Sequence, residues 1–308
     1  MRLAILCPGQ GAQSPSMFDL AASDPAALER AQTWLRSTEG PAAQMPLPEL
    51  LAHPSAMFDN RSAQPLVLAA TLMAWTMLAE RLPRPALVAG YSVGEVSAYA
   101  VAGALPLDLA VAIASQRAAI MSEAASRRGE QGMAAVSGIA SQAALELVRQ
   151  AGCEAAIDTP GALVAGGLRA NLDQLAKIAP QAGASYKPLP ITVASHTSLL
   201  AEAVDPLRRL LLSHCASPSL PLLAGVSASP VHDAAEAAGL LARQTASTIR
   251  WTECLDAMLE ARIDVVLELG PGNALTRMLR ERHPQVACRS VADFRSVKGI
   301  VAWVEAQA

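Results

Sequence analysis

A serine between two glycines stands out in the sequence because its setting suits a nucleophile. Ser92 is the centre of the pentapeptide Gly-Tyr-Ser-Val-Gly at 90–94, which follows an apolar run at 86–89 and precedes a helix-forming stretch at 95–101. This order of strand, sharp turn and helix is typical of a nucleophile elbow. The glycines leave room for a strained turn that projects the hydroxyl at a helix N-terminus. Ser92 is therefore the candidate nucleophile, and a plain glycine-lined turn is the alternative.

A serine hydroxyl attacks only when a base takes its proton, and the chain has five histidines that could supply one. His196 differs from the other four because it opens a turn directly after the segment 185–193, where a predicted inserted unit returns to the main body of the chain. Loops at such junctions border clefts. His196 is the candidate base, with a purely structural role as the alternative.

Two more polar residues lie in settings that suit acyl chemistry. Gln10 belongs to the glycine-rich loop after the first predicted strand, where an amide could donate to a developing oxyanion or only satisfy its neighbours. Arg117 lies on a mainly apolar predicted helix at 107–126. A buried guanidinium there would need a carboxylate, and one carried by a substrate would serve, whereas an arginine that extends to solvent would need none.

The composition excludes several classes of protein. A net charge of −3 and 3% aromatic residues give no basic surface or stacking platform for nucleic acid. Hydrophobic residues reach 52%, but the longest apolar stretches are too short to span a bilayer. The five cysteines are scattered, and no metal-ligand or dinucleotide-binding spacing is present. We expect no export signal, because the apolar run at the first strand is too short for one. We expect a cytoplasmic protein without a metal or cofactor.

Alternating strand and helix patterns predict an α/β fold with a mainly parallel sheet. The polar, glycine-containing segment 126–132 marks a change in composition, and the order after it is β-α-β-β-α-β, the split arrangement of a ferredoxin-like unit. The chain then resumes the alternation of helix and strand. We therefore predict a large α/β domain formed by 1–126 and 194–308, with a small ferredoxin-like domain inserted at 127–193.

Five segments, in order and with their spacing kept, resemble the motifs of the malonyl-CoA:acyl carrier protein transacylase family. They are the segments 8–13, 90–95, 116–117, 195–197 and 270–276. The resemblance extends over nearly the whole chain and is far more specific than the serine pentapeptide alone. It implies an α/β-hydrolase-like large domain with the inserted ferredoxin-like domain, and the transfer of a malonyl group through a serine ester.

Residue by residue, the resemblance implies the following roles. Ser92 is the nucleophile and His196 its base, while Arg117 binds the free carboxylate of the malonyl group. Gln10 and the backbone N–H of Val93 fall where the family has its oxyanion donors. The substrates implied are a CoA thioester and an acyl carrier protein that bears a phosphopantetheine-type thiol.

Two further positions follow from the same resemblance. Gln244 matches the residue whose backbone carbonyl orients the catalytic histidine, so that no aspartate is required. Asp158 stands where the family has an asparagine near the pocket. A carboxylate at this place could disfavour an anionic acyl group or reshape the pocket mouth, and its role stays open.

The serine motif also departs from the fatty-acid enzymes, which usually have histidine and leucine where this chain has Tyr91 and Val93. This variant resembles the transacylase (epsilon) subunit of bacterial malonate decarboxylase, which serves a dedicated carrier subunit. We therefore expect a malonyltransferase of a malonate decarboxylase complex, with the fatty-acid-synthesis transacylase as the alternative. Less favoured are a serine esterase or thioesterase, in which Ser92, Asp158 and His196 would keep the usual chain order, and a non-catalytic docking subunit.

Overall fold

A computed structural model describes residues 1–22 and 24–308. The chain forms two β-sheets and a set of helices. The strands are β1 Leu3–Cys7, β2 Leu87–Gly90, β3 Gln131–Ser137, β4 Glu154–Thr159, β5 Ala162–Leu168, β6 Ser185–Pro188, β7 Leu222–Ala224, β8 Ser229–Pro230, β9 Ile249–Arg250, β10 Val265–Glu268 and β11 Ala287–Ser290. The helices are α1 Pro25–Arg36, α2 Pro41–Gln44, α3 Leu47–Ala52, α4 Pro54–Phe58, α5 Asn60–Leu78, α6 Gly94–Val101, α7 Leu107–Ser126, α8 Ser141–Gln150, α9 Arg169–Gln181, α10 Ala201–Leu212, α11 Ala234–Arg243, α12 Trp251–Glu260, α13 Ala274–Arg282 and α14 Val297–Glu305.

The six-stranded sheet has the order β11-β10-β1-β2-β7-β8, and its strands are parallel except for β8. Its central strands β1, β2 and β10 are buried at every residue, as continuous apolar runs are in a parallel sheet covered on both faces. Cys7 lies opposite Gly90 in the register of β1 and β2. The loop with Gln10 and the turn with Ser92 therefore leave the same edge of the sheet side by side.

The five-stranded sheet has the order β6-β3-β5-β4-β9. Strands β3 to β6 pair antiparallel and, with α8 and α9, follow the predicted β-α-β-β-α-β order. The short strand β9 comes from the later part of the chain and adds parallel to β4. Two residues are too few to form a recognisable pattern, so this strand was not predicted from the sequence. The predicted α/β fold class is confirmed, while the domain boundaries at 126/127 and 193/194 stay a prediction.

The two sheets contribute to one shared apolar cluster, and the other face of the small sheet packs in a cluster of its own with α8 and α9. Met133, Ile157 and Val164 of the five-stranded sheet pack in the same cluster as Leu6 of β1 and Trp251 of α12. Neighbouring residues of β1 face the opposite cluster, which the long buried helices such as α5 form. The small sheet is therefore held against the strand edge from which the loop of Gln10 and the turn of Ser92 emerge.

Helices α5 and α7 pack against each other beneath this edge and lie close to their predicted positions. Helix α7 has the predicted bounds, and α5 starts three residues before the predicted 63–81 because the Asp59 side chain caps it by accepting from Arg61 N at 2.9 Å. Among the described residues, no helix has the length and apolar character needed to cross a membrane.

The turn between β2 and α6 depends on two glycines. A Cβ at Gly90 would collide with the backbone of Gly94 and Glu95, and a Cβ at Gly94 would collide with the carbonyl oxygens of Cys7 and Pro8. These are backbone atoms, which cannot turn aside as a flexible side chain can. The start of α6 therefore lies against the end of β1 only because neither position has a side chain.

We expect Gly94→Ala to lower the free energy of unfolding by about 2 kcal/mol or more, because the new methyl group overpacks this contact. Gly239→Ala is the matched control, since Gly239 lies inside α11 with open space around an added Cβ. That substitution should raise the free energy of unfolding by about 0.5–1 kcal/mol through helix propensity. Denaturant unfolding of both variants provides the measurement. Equal effects would contradict the close approach at the elbow.

Candidate active site

The serine turn has the geometry of a nucleophile elbow. Ser92 follows β2, adopts φ 55° and stands two residues before the first residue of α6. A positive φ is uncommon for a non-glycine residue and persists only where the surroundings enforce it. The close backbone contacts at Gly90 and Gly94 provide that enforcement and present the hydroxyl beside the helix N-terminus.

His196 is hydrogen-bonded to Ser92, with 2.8 Å between Ser92 Oγ and His196 Nε2. On the other side of the ring, Nδ1 lies 2.6 Å from the backbone oxygen of Gln244. Because a carbonyl oxygen only accepts, Nδ1 carries the hydrogen and Nε2 is free to accept the serine proton. His196 also has a positive φ of 65° and donates its backbone N–H to Thr245 O at 2.8 Å.

The surroundings keep the imidazole of His196 neutral. Burial and the nearby charge of Arg117 lower the pKa of His196 to about 3, against the opposing effect of the hydrogen bond to Gln244. The base is therefore unprotonated over the physiological pH range and ready to accept a proton from Ser92.

A small cavity of about 100 Å³ opens beside this pair. Gln10 lines it together with Ser92 and His196, and the remaining walls are mostly apolar. Val93 is the N-cap of α6, and the N–H groups of the next two residues, Gly94 and Glu95, donate back to Tyr91 O and Ser92 O. Gln10 and Val93 N–H thus border Ser92 from two neighbouring loops. The described residues that line the cavity are Gln10, Tyr91, Ser92, Met133, Ile157, Val164, Leu189, Ile191, Ser195 and His196.

Arg117 is 1% exposed, so its side chain does not reach solvent. Its Nη1 donates to Gln64 Oε1 at 2.6 Å and its Nη2 to Gln244 Oε1 at 3.0 Å. Two amide oxygens therefore hold the guanidinium where the sequence suggested a carboxylate. Burial lowers the pKa of Arg117 to about 10, with Glu95 opposing the shift, so the group stays a cation. Arg117 is not among the residues that line the cavity and lies behind Gln244.

Glu95 and the side chain of Gln244 are site residues to which the sequence assigned no role. Gln244 Nε2 donates to Ser92 O and to Glu95 Oε2, each at 2.8 Å. Glu95 is fully buried, and its Oε2 also accepts from Gly225 N at 3.1 Å. Burial raises the pKa of Glu95 to about 7, although its hydrogen bonds and Arg117 act in the opposite direction. The available signal was the position of Glu95 three residues after the serine, at the start of an apolar helix.

The structure does not bring Asp158 to the cavity. Ile157 lines the cavity, and since neighbouring residues of a strand face opposite sides, Asp158 points away from it. The charges near Asp158 are those of Glu253, Asp256 and Arg282 on α12 and α13, and burial raises its pKa. The histidine bonds to a backbone carbonyl instead of this carboxylate. The triad of Ser92, Asp158 and His196 that an esterase would need is not formed.

Tyr91 lines the cavity, and its ring packs edge-on against Trp251 with 5.3 Å between the ring centres.

All five cysteines are free thiols. Within the described part of the chain, no three His, Cys, Asp or Glu side chains are grouped as a metal site would require.

The model of the acyl transferase domain family matches residues 5–298. A malonyl CoA-acyl carrier protein transacylase of Mycobacterium bovis is 32% identical over 294 residues, which cover 94% of this chain and 96% of the relative. One of Haemophilus influenzae is 28% identical over 321 residues, with 96% and 98% covered. The crystal structure of MCAT from Mycobacterium tuberculosis has a TM-score of 0.88 at 31% identity and covers 99% of both chains.

A further solved structure, a malonyl-transacylase in complex with a type II PKS acyl-carrier protein, has a TM-score of 0.89 at 25% identity and covers 98% of this chain and 99% of its own. The fold and the serine–histidine pair define an acyltransferase. With matches of this extent, the chain belongs to the acyl transferase family and, within it, to the group of malonyl CoA-acyl carrier protein transacylases. The family resemblance in the sequence motifs is confirmed.

We expect Asp158→Asn to leave the rate of acyl-enzyme formation within about threefold of wild type, because the residue lies on the face of β4 away from the cavity. Single-turnover acylation measured by intact mass is the appropriate test. A folded Asp158→Asn variant that no longer forms the acyl-enzyme would show that the carboxylate of Asp158 takes part in catalysis.

Proposed function

We propose that the protein transfers a malonyl group from malonyl-CoA to the thiol of an acyl carrier protein through an ester on Ser92. The observation that carries this proposal is the 2.8 Å contact of Ser92 Oγ with His196 Nε2, with His196 Nδ1 held by a backbone carbonyl. The names of the relatives supply the substrate class.

In the first half of the reaction, His196 Nε2 takes the proton of Ser92 Oγ as the oxygen attacks the thioester carbonyl carbon. The oxyanion of the tetrahedral intermediate accepts hydrogen bonds from the Gln10 amide and Val93 N–H. When the intermediate collapses, the carbon–sulfur bond breaks, the CoA sulfur takes the proton from the imidazolium, and malonyl-Ser92 remains.

In the second half, the carrier thiol gives its proton to His196 and its sulfur attacks the ester carbonyl. Collapse of the second intermediate breaks the bond to Ser92 Oγ, which recovers the proton. The ester must outlast the exchange of CoA for carrier, so water has to be kept away from it. The small volume of the cavity and its apolar walls at Met133, Ile157 and Val164 favour that survival.

Arg117 is the proposed binding group for the malonyl carboxylate. A guanidinium has five N–H donors, and Gln64 and Gln244 each accept from one terminal nitrogen. Donors on both terminal nitrogens are therefore left for a bidentate carboxylate. The side chain of Gln244 bonds both Arg117 and the backbone oxygen of Ser92, so the guanidinium lies one amide away from the nucleophile. The malonyl carboxylate would bind the remaining N–H groups of Arg117 beside this amide, which stays in place.

For the carrier, we propose the dedicated carrier subunit of a malonate decarboxylase. The support is Tyr91, which replaces the histidine usual in the fatty-acid enzymes and whose ring forms part of the cavity wall against Trp251. The relatives named as acyl carrier protein transacylases fit a carrier of fatty acid synthesis equally well. Transfer rates to the two carriers, compared side by side, decide between them.

We expect malonyl-CoA to add one malonyl group to the protein at Ser92 and Ser92→Ala to prevent the addition. His196→Ala should slow the addition by roughly two to four orders of magnitude, and Gln10→Ala by about two. Intact-mass analysis with peptide mapping measures both the adduct and its rate. An adduct on a cysteine, or none on the wild-type protein, would refute the proposed function.

We expect Arg117→Ala to shift the ratio of kcat/KM for malonyl-CoA over acetyl-CoA toward acetyl-CoA by about two orders of magnitude or more, because only malonyl brings a carboxylate that needs the guanidinium. Any loss shared by the two donors cancels in this ratio. Arg117→Lys should restore part of the preference, since an ammonium cannot reproduce the guanidinium fork. Equal slowing of both donors would make Arg117 a structural residue only.

A further inference from the structure

Glu95 and the side chain of Gln244 form a buried connection between the arginine and the serine–histidine pair. Glu95 Oε2 accepts from Gln244 Nε2, which also donates to Ser92 O, while Gln244 Oε1 accepts from Arg117 Nη2. Both residues are 0% exposed. We call these two side chains the Glu95–Gln244 link.

The contacts of the link fix the amide of Gln244 in one orientation. Its two N–H donors meet two oxygens, and its oxygen meets a donor, so that a flipped amide would bring like groups together at all three places. The backbone oxygen of the same residue holds His196 Nδ1 at 2.6 Å. One residue thus contacts the anion-binding group, the backbone of the nucleophile, and the base.

We infer that Glu95 and the side chain of Gln244 are positioning residues that hold Arg117 and the Ser92–His196 pair in one fixed arrangement. In this arrangement an acyl-CoA whose acyl group carries a carboxylate is preferred at the acylation step. This inference rests on the proposed function. It concerns the side chain of Gln244, whose role is separate from that of its backbone carbonyl.

The physical reason lies in the long side chain of Arg117. Without the amide of Gln244, the guanidinium would keep Gln64 as its only side-chain acceptor and would be drawn toward the carboxylate of Glu95. The N–H groups of Arg117 would then no longer point to the place that the malonyl carboxylate occupies when its thioester carbonyl lies beside Ser92. Misplacement of this kind weakens the binding of a malonyl group and has little effect on an acetyl group.

The charge on Glu95 adds a dependence on pH. The charged or titratable groups that face it are Arg117 from α7, Tyr99 from its own helix and Cys254 from α12. Arg117 stays protonated at neutral pH, and the pKa values of Tyr99 and Cys254 are raised, so these groups do not change charge there.

Glu95 itself changes charge near neutrality, since burial raises its pKa to about 7. Above that value the charged carboxylate accepts a strong hydrogen bond from Gln244 Nε2, and below it the protonated group accepts a weaker one, so the amide between Glu95 and Arg117 is held less firmly. The preference for malonyl-CoA should therefore fall as the pH falls through about 7. His196 cannot cause this change, because its pKa is lowered to about 3.

The test uses the full-length protein and measures acylation of Ser92 by malonyl-CoA and by acetyl-CoA from about pH 5.5 to about pH 8. Gln244→Met removes the amide and keeps the backbone carbonyl. Glu95→Gln keeps the size of the side chain and removes its charge. Glu268→Gln is the matched control, because Glu268 is also fully buried, its pKa is also raised to about 7, and it accepts from the backbone N–H groups of Leu275 and Thr276, not from Gln244.

We expect Gln244→Met to lower the malonyl-to-acetyl ratio of kcat/KM by about tenfold or more at pH 8. Glu95→Gln should give a ratio that no longer varies with pH and equals that of the wild type at low pH. Glu268→Gln should keep the ratio and the pH dependence of the wild type, whatever its effect on the melting temperature.

Three results would overturn the inference. The first is equal slowing of malonyl-CoA and acetyl-CoA in a Gln244→Met protein that is folded. The second is a malonyl-to-acetyl ratio that still varies with pH in Glu95→Gln. The third is a ratio that no longer varies with pH in the control variant Glu268→Gln. Malonyl-Ser92 formation by the wild type separates these results from a failure of the proposed function, which would leave no adduct to compare. Because Glu95→Gln is nearly isosteric, the test stands even if Gln244→Met does not fold.

Discussion

A full positive charge buried between helices is the constraint on which this active site depends. Arg117 is 1% exposed, and an isolated charge in such surroundings would cost several kcal/mol. The protein meets that cost with oxygen atoms from three separate parts of the chain, which are the amides of Gln64 and Gln244 and the nearby carboxylate of Glu95. Once these acceptors are in place, the serine turn and the base are fixed as well, because Gln244 also bonds Ser92 and His196.

The choice of a carbonyl as the partner of the base has a chemical consequence. A carboxylate beside Nδ1 would raise the pKa of the imidazole and stabilise the imidazolium, as in hydrolases with an aspartate. Here the partner is a neutral carbonyl, whose hydrogen bond raises the pKa of His196 too little to offset burial and the nearby charge of Arg117.

The two sheets divide the work of the site. The large parallel sheet presents the loop of Gln10 and the turn of Ser92 at adjacent strand ends, because β1 and β2 are neighbours in register. The small sheet contributes apolar side chains, Ile157 and Val164 among them, that close the cavity over the serine. Strand β9 pairs with β4 and so joins the small sheet to the segment after Gln244. The Gln10 loop and the nucleophile thus follow strands of the large sheet, and the small sheet contributes apolar side chains to the cavity wall.

The sequence by itself determined the features that depend on local pattern. These are the α/β fold class, the bounds of α7, the elbow at Ser92, and the order of the strands and helices at 131–188, because periodicity, glycine and turn chemistry act over a few residues. The resemblance to the family motifs pointed to His196, Gln10 and the backbone of Val93 and Gln244, whose catalytic roles stay predictions.

Only the tertiary structure decided which groups meet. The partners of Arg117 are 53 and 127 residues away in the chain, and the contact of His196 with the carbonyl of Gln244, 48 residues away, was expected only from the family resemblance. No local pattern encodes such a pairing, because it arises when separate helices and loops pack around a shared core. The same holds for Asp158, which a one-residue alternation of β4 turns away from the cavity, and for the side chains of Glu95 and Gln244, whose importance appears only once the buried charge they serve is in place.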